Sequence, residues 1–364
     1  MEASQQQPST ILEPELRQGL DGTTCVVTGA DGFMGSHLTE ALLEAGADVH
    51  VIVRATSSGR LNNIAHLAHR LAIHELDITD SNAVRRALSD LRGTRPLIFH
   101  LAAQAHVGES WTRPFETATV NFIGTLALLQ SIVDLDLEIR MFDTAGTSEE
   151  YGNVADEIRD SHRFDEHGRP VFAEWSPLNP KSIYATSKVA ADFLTLNFYD
   201  AYGIPTVVTR MFNNYGPRQN PRYVTGTVIT QALSREQVHL GTLETMRDFC
   251  YCIDGVRGHV AVATKGKPGE VYCYGQGTNT TIGDWAERIL KVGQERGFWT
   301  DREIVTDPAR ERPGQSDVLA LRVGYEKLHE ETGWEPTWSW DDGIGETIAW
   351  YAANPERWRG KVDW

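Results

Sequence analysis

Cysteine is scarce. The 364 residues hold four, Cys25, Cys250, Cys252 and Cys273, and none has zinc-ligand spacing. A disulfide framework and a thiolate metal centre are thereby set aside, and a chain this long needs neither to bury a core. The four read as reduced core thiols of a cytoplasmic protein, Cys250 and Cys252 alternating along a strand. Long apolar runs are missing too. None approaches the roughly 18–20 residues of a membrane span, so no membrane partner is expected. The N-terminal MEASQQQPSTILEPELRQ lacks the basic-then-apolar pattern of a signal peptide, and residues 1–20 read as a polar tail. Positive charge is also in deficit. Against 50 Asp and Glu stand 34 Lys and Arg, a formal charge of −16. Such a balance argues against nucleic acid, which needs clustered cations, but leaves room for a small anion held by a few. The surplus acid is expected on the outer surface. Repeats, low-complexity stretches and a clear domain linker are absent as well.

What is present is an alternation of strand and helix. Apolar, β-branched runs at 24–28, 49–53, 71–76, 97–101, 139–144 and 206–210 are separated by segments of helical periodicity. The helices include one opened by Ser81, a long one near Thr117–Asp134 and one from about Tyr184 to Tyr202, ended by Gly203. Repeated βα units predict an α/β fold: a Rossmann-type doubly wound parallel sheet over 21–210. Residues 211–364 then read mainly as a smaller C-terminal α/β substrate domain, interleaved with the first. Six tryptophans near the C-terminus, from Trp334 to Trp364, read as packing of the last helix.

Four local features carry chemistry. Thr-Gly-Ala-Asp-Gly-Phe-Met-Gly at 28–35 follows the first strand and opens the first helix. Gly29 serves the tight turn, Gly32 the approach of a pyrophosphate, Gly35 close helix packing, with Phe33 and Met34 between them. The free N–H groups of the helix start favour a phosphate. At the end of the second strand no carboxylate awaits a ribose. Arg54 is followed by Ala-Thr-Ser-Ser-Gly-Arg60, so Arg54, Ser57 and Arg60 favour a 2′-phosphate, hence NADP with NAD as the alternative. Asp77 and Ile78 end the third strand within reach of an adenine. Tyr184 and Lys188, four apart on a helix, share a face, and the ammonium lowers the phenol pKa toward a usable base. Finally, Thr147-Ser148-Glu149-Glu150 follows a strand end, where open α/β sheets build sites. Thr147 can bind a reacting oxygen and Glu149 can act as acid/base if burial raises its pKa. Of the adjacent Glu149 and Glu150, one is expected to point into solvent. His100 reads as a packed strand residue.

With these motifs, HLAAQAHVGESW at 100–111, RMFNNYGPRQ at 210–219, RDF at 247–249 and TGWEP at 332–336, the chain resembles the extended short-chain dehydrogenases/reductases from about Thr23 to Tyr351. Within their nucleotide-sugar branch it is most similar to the 4,6-dehydratases of GDP-mannose and of nucleotide-linked N-acetylhexosamines, which place Thr-Ser-Glu where Thr147, Ser148 and Glu149 stand. dTDP-glucose dehydratases use Thr-Asp-Glu, so Ser148 speaks against that substrate. The resemblance implies catalytic roles for Thr147, Ser148, Glu149, Tyr184 and Lys188 and cofactor contacts from Leu101, Ala102 and Ala103. It also implies a sugar-lining loop with Gln104, His106, Glu109 and Ser110. Asn213, Val224, Arg247 and Arg312 would meet the substrate, the arginines at its pyrophosphate, with Asp317 near a ribose. Thr227 stands where GDP-mannose dehydratases have a lysine, which leaves the nucleobase open. A homodimer, possible homotetramer, through the 117–134 and 184–202 helices is also implied, with an NDP-sugar as the small-molecule partner. A 4-epimerase, a 4-keto-6-deoxysugar reductase and a non-catalytic dinucleotide sensor are the other readings.

Overall fold

The computed structural model describes residues 11–54, 61–310 and 317–360. Its centre is a seven-stranded sheet: β1 Thr24–Thr28, β2 Asp48–Val53, β3 Ala72–Glu75, β4 Leu97–His100, β5 Met141–Thr147, β6 Thr206–Met211 and β7 Val271–Tyr274. The order is β7-β6-β5-β4-β1-β2-β3, and every pairing is parallel. This is the expected Rossmann-type sheet. Alternation along its strands divides the core. Val26, Ile52, Ile98 and Phe142 face one side, with Leu128, Ile132 and Phe198 from the covering helices. Cys25, Val27, Val51 and Phe99 face the other. Each such side chain taken fully from water contributes about 1.5–3 kcal/mol.

The helices that matter for the site are α1 Phe33–Glu44, α2 Gly124–Asp134, α3 Ile183–Tyr202, α4 Val224–Ala232, α5 Cys252–Lys265 and α6 Trp340–Ala353. The sheet draws its last strand, β7, from beyond residue 210, and α5 packs on α1.

Several expectations are corrected. The stretch read as a polar tail is packed from residue 11 onward: Leu12, Leu16 and Leu20 are buried, and Pro14–Arg17 forms a helical turn. All three join the same core cluster as Leu38, Leu42 and Val256. Cys252 does not continue the strand Phe249–Tyr251 but opens α5. The long helix expected near 117–134 is present as one continuous helical run from Pro114 to Asp134, widened by a π turn at Thr119–Ile123. β5 runs on past Thr144, so Thr147 is its last residue. The four cysteines are free and buried. Trp358 is buried and donates to the Tyr351 carbonyl of α6, Trp334 is buried beside Tyr274 and donates to the Asp254 carbonyl of α5, and Trp285 stacks on Phe249 at 4.2 Å. Among the described residues six Asp and Glu residues are buried, and most of the others lie at or near the surface.

Candidate active site

The glycine loop turns as its spacing requires. Gly29 has φ +69°, and a Cβ there would stand 2.9 Å from the Ala102 backbone. A Cβ on Gly35 would collide with the Gly29 carbonyl, so α1 starts directly against the turn. Asp31, between the glycines, ties down a distant segment: its carboxylate accepts from the N–H groups of Asn62, Asn63 and Ile64 at 2.7–3.2 Å. Behind the loop His100 is a packed strand residue, with Nδ1 2.8 Å from Thr28 Oγ1 and Nε2 2.9 Å from Thr125 Oγ1. Burial pushes its imidazole down to about 3, so it is neutral.

A cleft of about 1710 Å³ runs from this loop to the ends of β5 and β6 and on to the C-terminal part. All the expected cofactor residues that are described line it: Gly29, Gly32, Phe33, Met34, Gly35 and Arg54 on the near side, Asp77, Ile78 and Leu101–Ala103 beyond. Ser57, Arg60 and Arg312 lie outside the described residues. Two loops in the cleft are crosslinked. Gln104 Nε2 donates to Glu109 Oε2 at 3.0 Å, and Arg222 Nη1 meets Glu109 Oε1 at 2.9 Å. The Tyr223 hydroxyl donates to the Ala105 carbonyl at 3.0 Å, and its ring meets His106 edge-on at 5.5 Å. His106 also caps the helix Val107–Thr112 by accepting the Glu109 N–H. Ser110 does not line the cleft. It is buried, and its hydroxyl donates to the Val107 carbonyl at 2.7 Å.

At the floor, Thr147, Ser148, Glu149, Tyr184 and Lys188 all come together in the cleft wall. Tyr184 and Lys188 sit one turn apart in α3 and are 9% and 4% exposed. The spacing is as expected, but the electrostatics are not. Burial pushes the Tyr184 phenol well up; Tyr223, Glu150 and Glu149 push the same way, and a hydrogen bond with Thr147 opposes them. Burial also holds the Lys188 ammonium below its usual range, although Asp192, Glu150 and Asp143 work against that. The protein alone therefore keeps the phenol protonated. Neither glutamate is solvated, contrary to the reading that one would be. Glu149 is 7% exposed and Glu150 fully buried. Glu150 turns away from the cleft, accepting the Thr147 N–H at Oε1 (2.7 Å) and lying 3.1 Å from Arg210 Nε.

Further along, Asn213 and Val224 line the cleft, and the Asn213 Oδ1 is a buried acceptor with no donor. Arg247 is clamped: Nη1 donates to the Val318 carbonyl at 2.7 Å, and Nη2 meets Asp317 Oδ1 at 3.3 Å. The structure thus joins two residues singled out separately in the sequence.

Asn121 was not singled out by the sequence. It sits in the π turn, accepts the Gln104 N–H at 2.8 Å, and donates to the Gln104 carbonyl (3.1 Å) and Ser187 Oγ (2.9 Å). It fixes the cleft loop to the helix of Tyr184. An amide inside an apolar helical run was the signal available. Among the described residues no His, Cys, Asp and Glu cluster could hold a metal, and no helix is long and apolar enough to cross a membrane.

The family model for GDP-mannose 4,6 dehydratase matches residues 26–347. A dTDP-glucose 4,6-dehydratase of Shigella flexneri is 32% identical over 350 residues, covering 90% of this chain and 92% of that protein. The solved dTDP-glucose 4,6-dehydratase of Streptomyces venezuelae with NAD and TYD bound superposes with a TM-score of 0.78 at 29% identity, over 92% of this chain and 99% of that one. A UDP-glucose 4-epimerase from Thermotoga maritima, solved with UDP-glucose, gives 0.77 at 30% identity, over 92% and 100%. The fold is thus shared by dehydratases and epimerases alike. Two of these relatives carry the name of the very substrate that Ser148 speaks against. The chain belongs to the GDP-mannose 4,6-dehydratase family, and with it to the nucleotide-sugar 4,6-dehydratases of the extended short-chain dehydrogenase/reductase type.

Proposed function

We propose that this chain converts an NDP-hexose to the NDP-4-keto-6-deoxyhexose by internal oxidation, loss of water and reduction. The observation that carries this reading is Glu149, buried in the cleft floor close enough to raise the phenol of Tyr184. A 4-epimerase needs the Tyr–Lys pair but no second acid/base there.

The glycine turn fits a dinucleotide, because a Cβ at Gly29 or Gly35 would fill the space its backbone uses. A nicotinamide dinucleotide held at the Gly29–Gly35 turn would supply the hydride acceptor for C4 and the hydride donor for C6. Tyr184 takes the C4 hydroxyl proton, and Lys188 supplies positive charge beside it. Thr147 holds the C4 oxygen through its hydroxyl. The resulting 4-ketone acidifies the C5–H, which Glu149 removes. Glu149 or Ser148 protonates the departing C6 hydroxyl, and as C6 receives the hydride C5 is reprotonated from solvent, balancing the proton that Tyr184 releases. Arg247 binds the substrate pyrophosphate, steadied by Asp317.

We read NADP as the preferred cofactor, since the exposed Arg54 lines the cleft at the end of β2, the strand that places a ribose-binding carboxylate in NAD sites. The relatives solved with NAD make the direct comparison of both dinucleotides the test of that point. Phe115 and Phe193, exposed on the helices of 114–118 and α3, support a dimer through these helices, and the setting is read as cytoplasmic.

Incubation with a panel of NDP-sugars and no added reductant tests the reaction. A product lighter by one water supports a dehydratase. A product of unchanged mass but altered configuration makes it an epimerase, and no conversion with dinucleotide bound makes it a sensor.

A further inference from the structure

Glu150 takes no part in the proposed steps, yet it sits in a buried cluster of charged side chains. Its Oε1 accepts the Thr147 N–H at 2.7 Å. Its other oxygen, Oε2, is buried without a donor, and so is Asp192 Oδ1. Arg210 Nε lies 3.1 Å from Glu150 Oε2 and 3.0 Å from Asp192 Oδ2, but only the Asp192 contact has hydrogen-bond geometry. The two carboxyls thus converge on the same Arg210 Nε, and both are fully buried. Two ionised carboxylates so placed in a dry interior repel. One proton between them converts the repulsion into a short charge-assisted bond and satisfies oxygens that otherwise have no donor.

We propose that Glu150 is a carboxylic acid that donates its proton to Asp192, leaving Asp192 to carry the charge against Arg210. Burial pushes the Glu150 carboxyl the same way, well above its usual range. The groups facing it are Lys188, Asp192 and Tyr184 from α3, Arg210 from β6, Asp143 from β5, Glu149 and Tyr151 from the turn after it, and Cys273 from β7, with Glu174 beyond Arg210. The consequence falls on Tyr184. An ionised Glu150 raises the cost of a phenolate there, and a neutral one does not. Glu150 is thus a positioning residue: it fixes the Thr147 backbone and withholds a buried negative charge from the proposed base.

The pH readout rests on the dehydratase reading; the infrared readout does not. In infrared difference spectra at about pH 8, the wild-type protein should show a carboxylic-acid C=O band that disappears in Glu150→Gln. Absence of that band, or its persistence in the variant, overturns the proposal whatever the enzyme catalyses. In steady-state assays the acid limb of the kcat profile should stay in place in Glu150→Gln, because an amide reproduces the neutral acid. If Glu150 is ionised, removing its charge shifts that limb down by roughly one pH unit, as for a charge about 10 Å away at an effective dielectric of about 20, and the proposal fails. Glu150→Leu should lower kcat by about tenfold with KM little changed, since Thr147 loses its acceptor. Should Glu150→Leu not fold, the Gln variant and its spectrum decide alone.

Discussion

Replacing Glu149 by Gln separates the oxidation from the elimination. The amide has the shape of the carboxylate, and at 7% exposure the surrounding packing holds it in place. What is lost is the ability to take and return a proton. A positioned acid/base contributes about 10²–10⁴-fold, or roughly 3–5 kcal/mol of barrier, and that is the expected fall in water elimination. The C4 oxidation answers differently. Glu149 is one of the negative neighbours that raise the Tyr184 phenol, so its neutralisation eases phenolate formation and moves the acid limb of oxidation to lower pH. Loss of water by mass, deuterium uptake from solvent at C5 and absorbance of the reduced nicotinamide follow the two steps separately. The expected result is reduced cofactor and 4-keto sugar accumulating without loss of water. Full dehydratase turnover in this variant refutes the assignment, and equal loss of both steps refutes the division of labour between Tyr184 and Glu149.

Gly35→Ala puts a methyl group into the Gly29 carbonyl and should strip dinucleotide from the purified protein, read by its absorbance, before it unfolds the chain. Arg247→Ala should raise KM for the NDP-sugar by roughly ten- to a hundredfold, the worth of a charge-assisted contact of about 1.5–3 kcal/mol, with kcat little changed. Stability should fall on acidification. Burial, aided by Arg218, holds His37 down to about 4, and burial, aided by Lys188, holds His100 down to about 3. Both are neutral when folded, so the unfolded chain binds the extra protons below 6.5. Their stabilisation is complete above that pH and is lost as pH falls through about 4 and then 3, at about 1.4 kcal/mol per histidine per pH unit between the two limits. Urea midpoints at about pH 7.5 and 5 measure it.

The parts of the site legible in the sequence were those fixed by local spacing. Gly29, Gly32 and Gly35 follow a strand and open a helix, and Tyr184 and Lys188 share a face through helical geometry alone. The parts that escaped depend on partners far along the chain. Asp31 looks like a spacer until Asn62–Ile64 fold onto it. Arg222 and Tyr223 become cleft residues only because their loop meets Gln104–Glu109. Glu149 and Glu150 are alike in sequence, and the capping of Thr147 decides which one turns inward. Lys188 next to Tyr184 suggested an acidified phenol, whereas burial, which spacing does not report, outweighs it. Leu12, Leu16 and Leu20 were hidden by polar flanks.

The order β7-β6-β5 has a consequence for a chain that emerges from the ribosome N-terminus first. When β6 is complete at Met211, its far edge has no partner, and β7 ends only at Tyr274. At about 5–20 residues per second that interval lasts roughly 3–13 s. During it, Thr206–Arg210, five residues buried in the finished protein, offer an unpaired strand edge to any neighbouring nascent chain. A chain truncated near residue 210 would make that exposure permanent, so it should precipitate or recruit chaperones, where one extended through Tyr274 closes its own sheet.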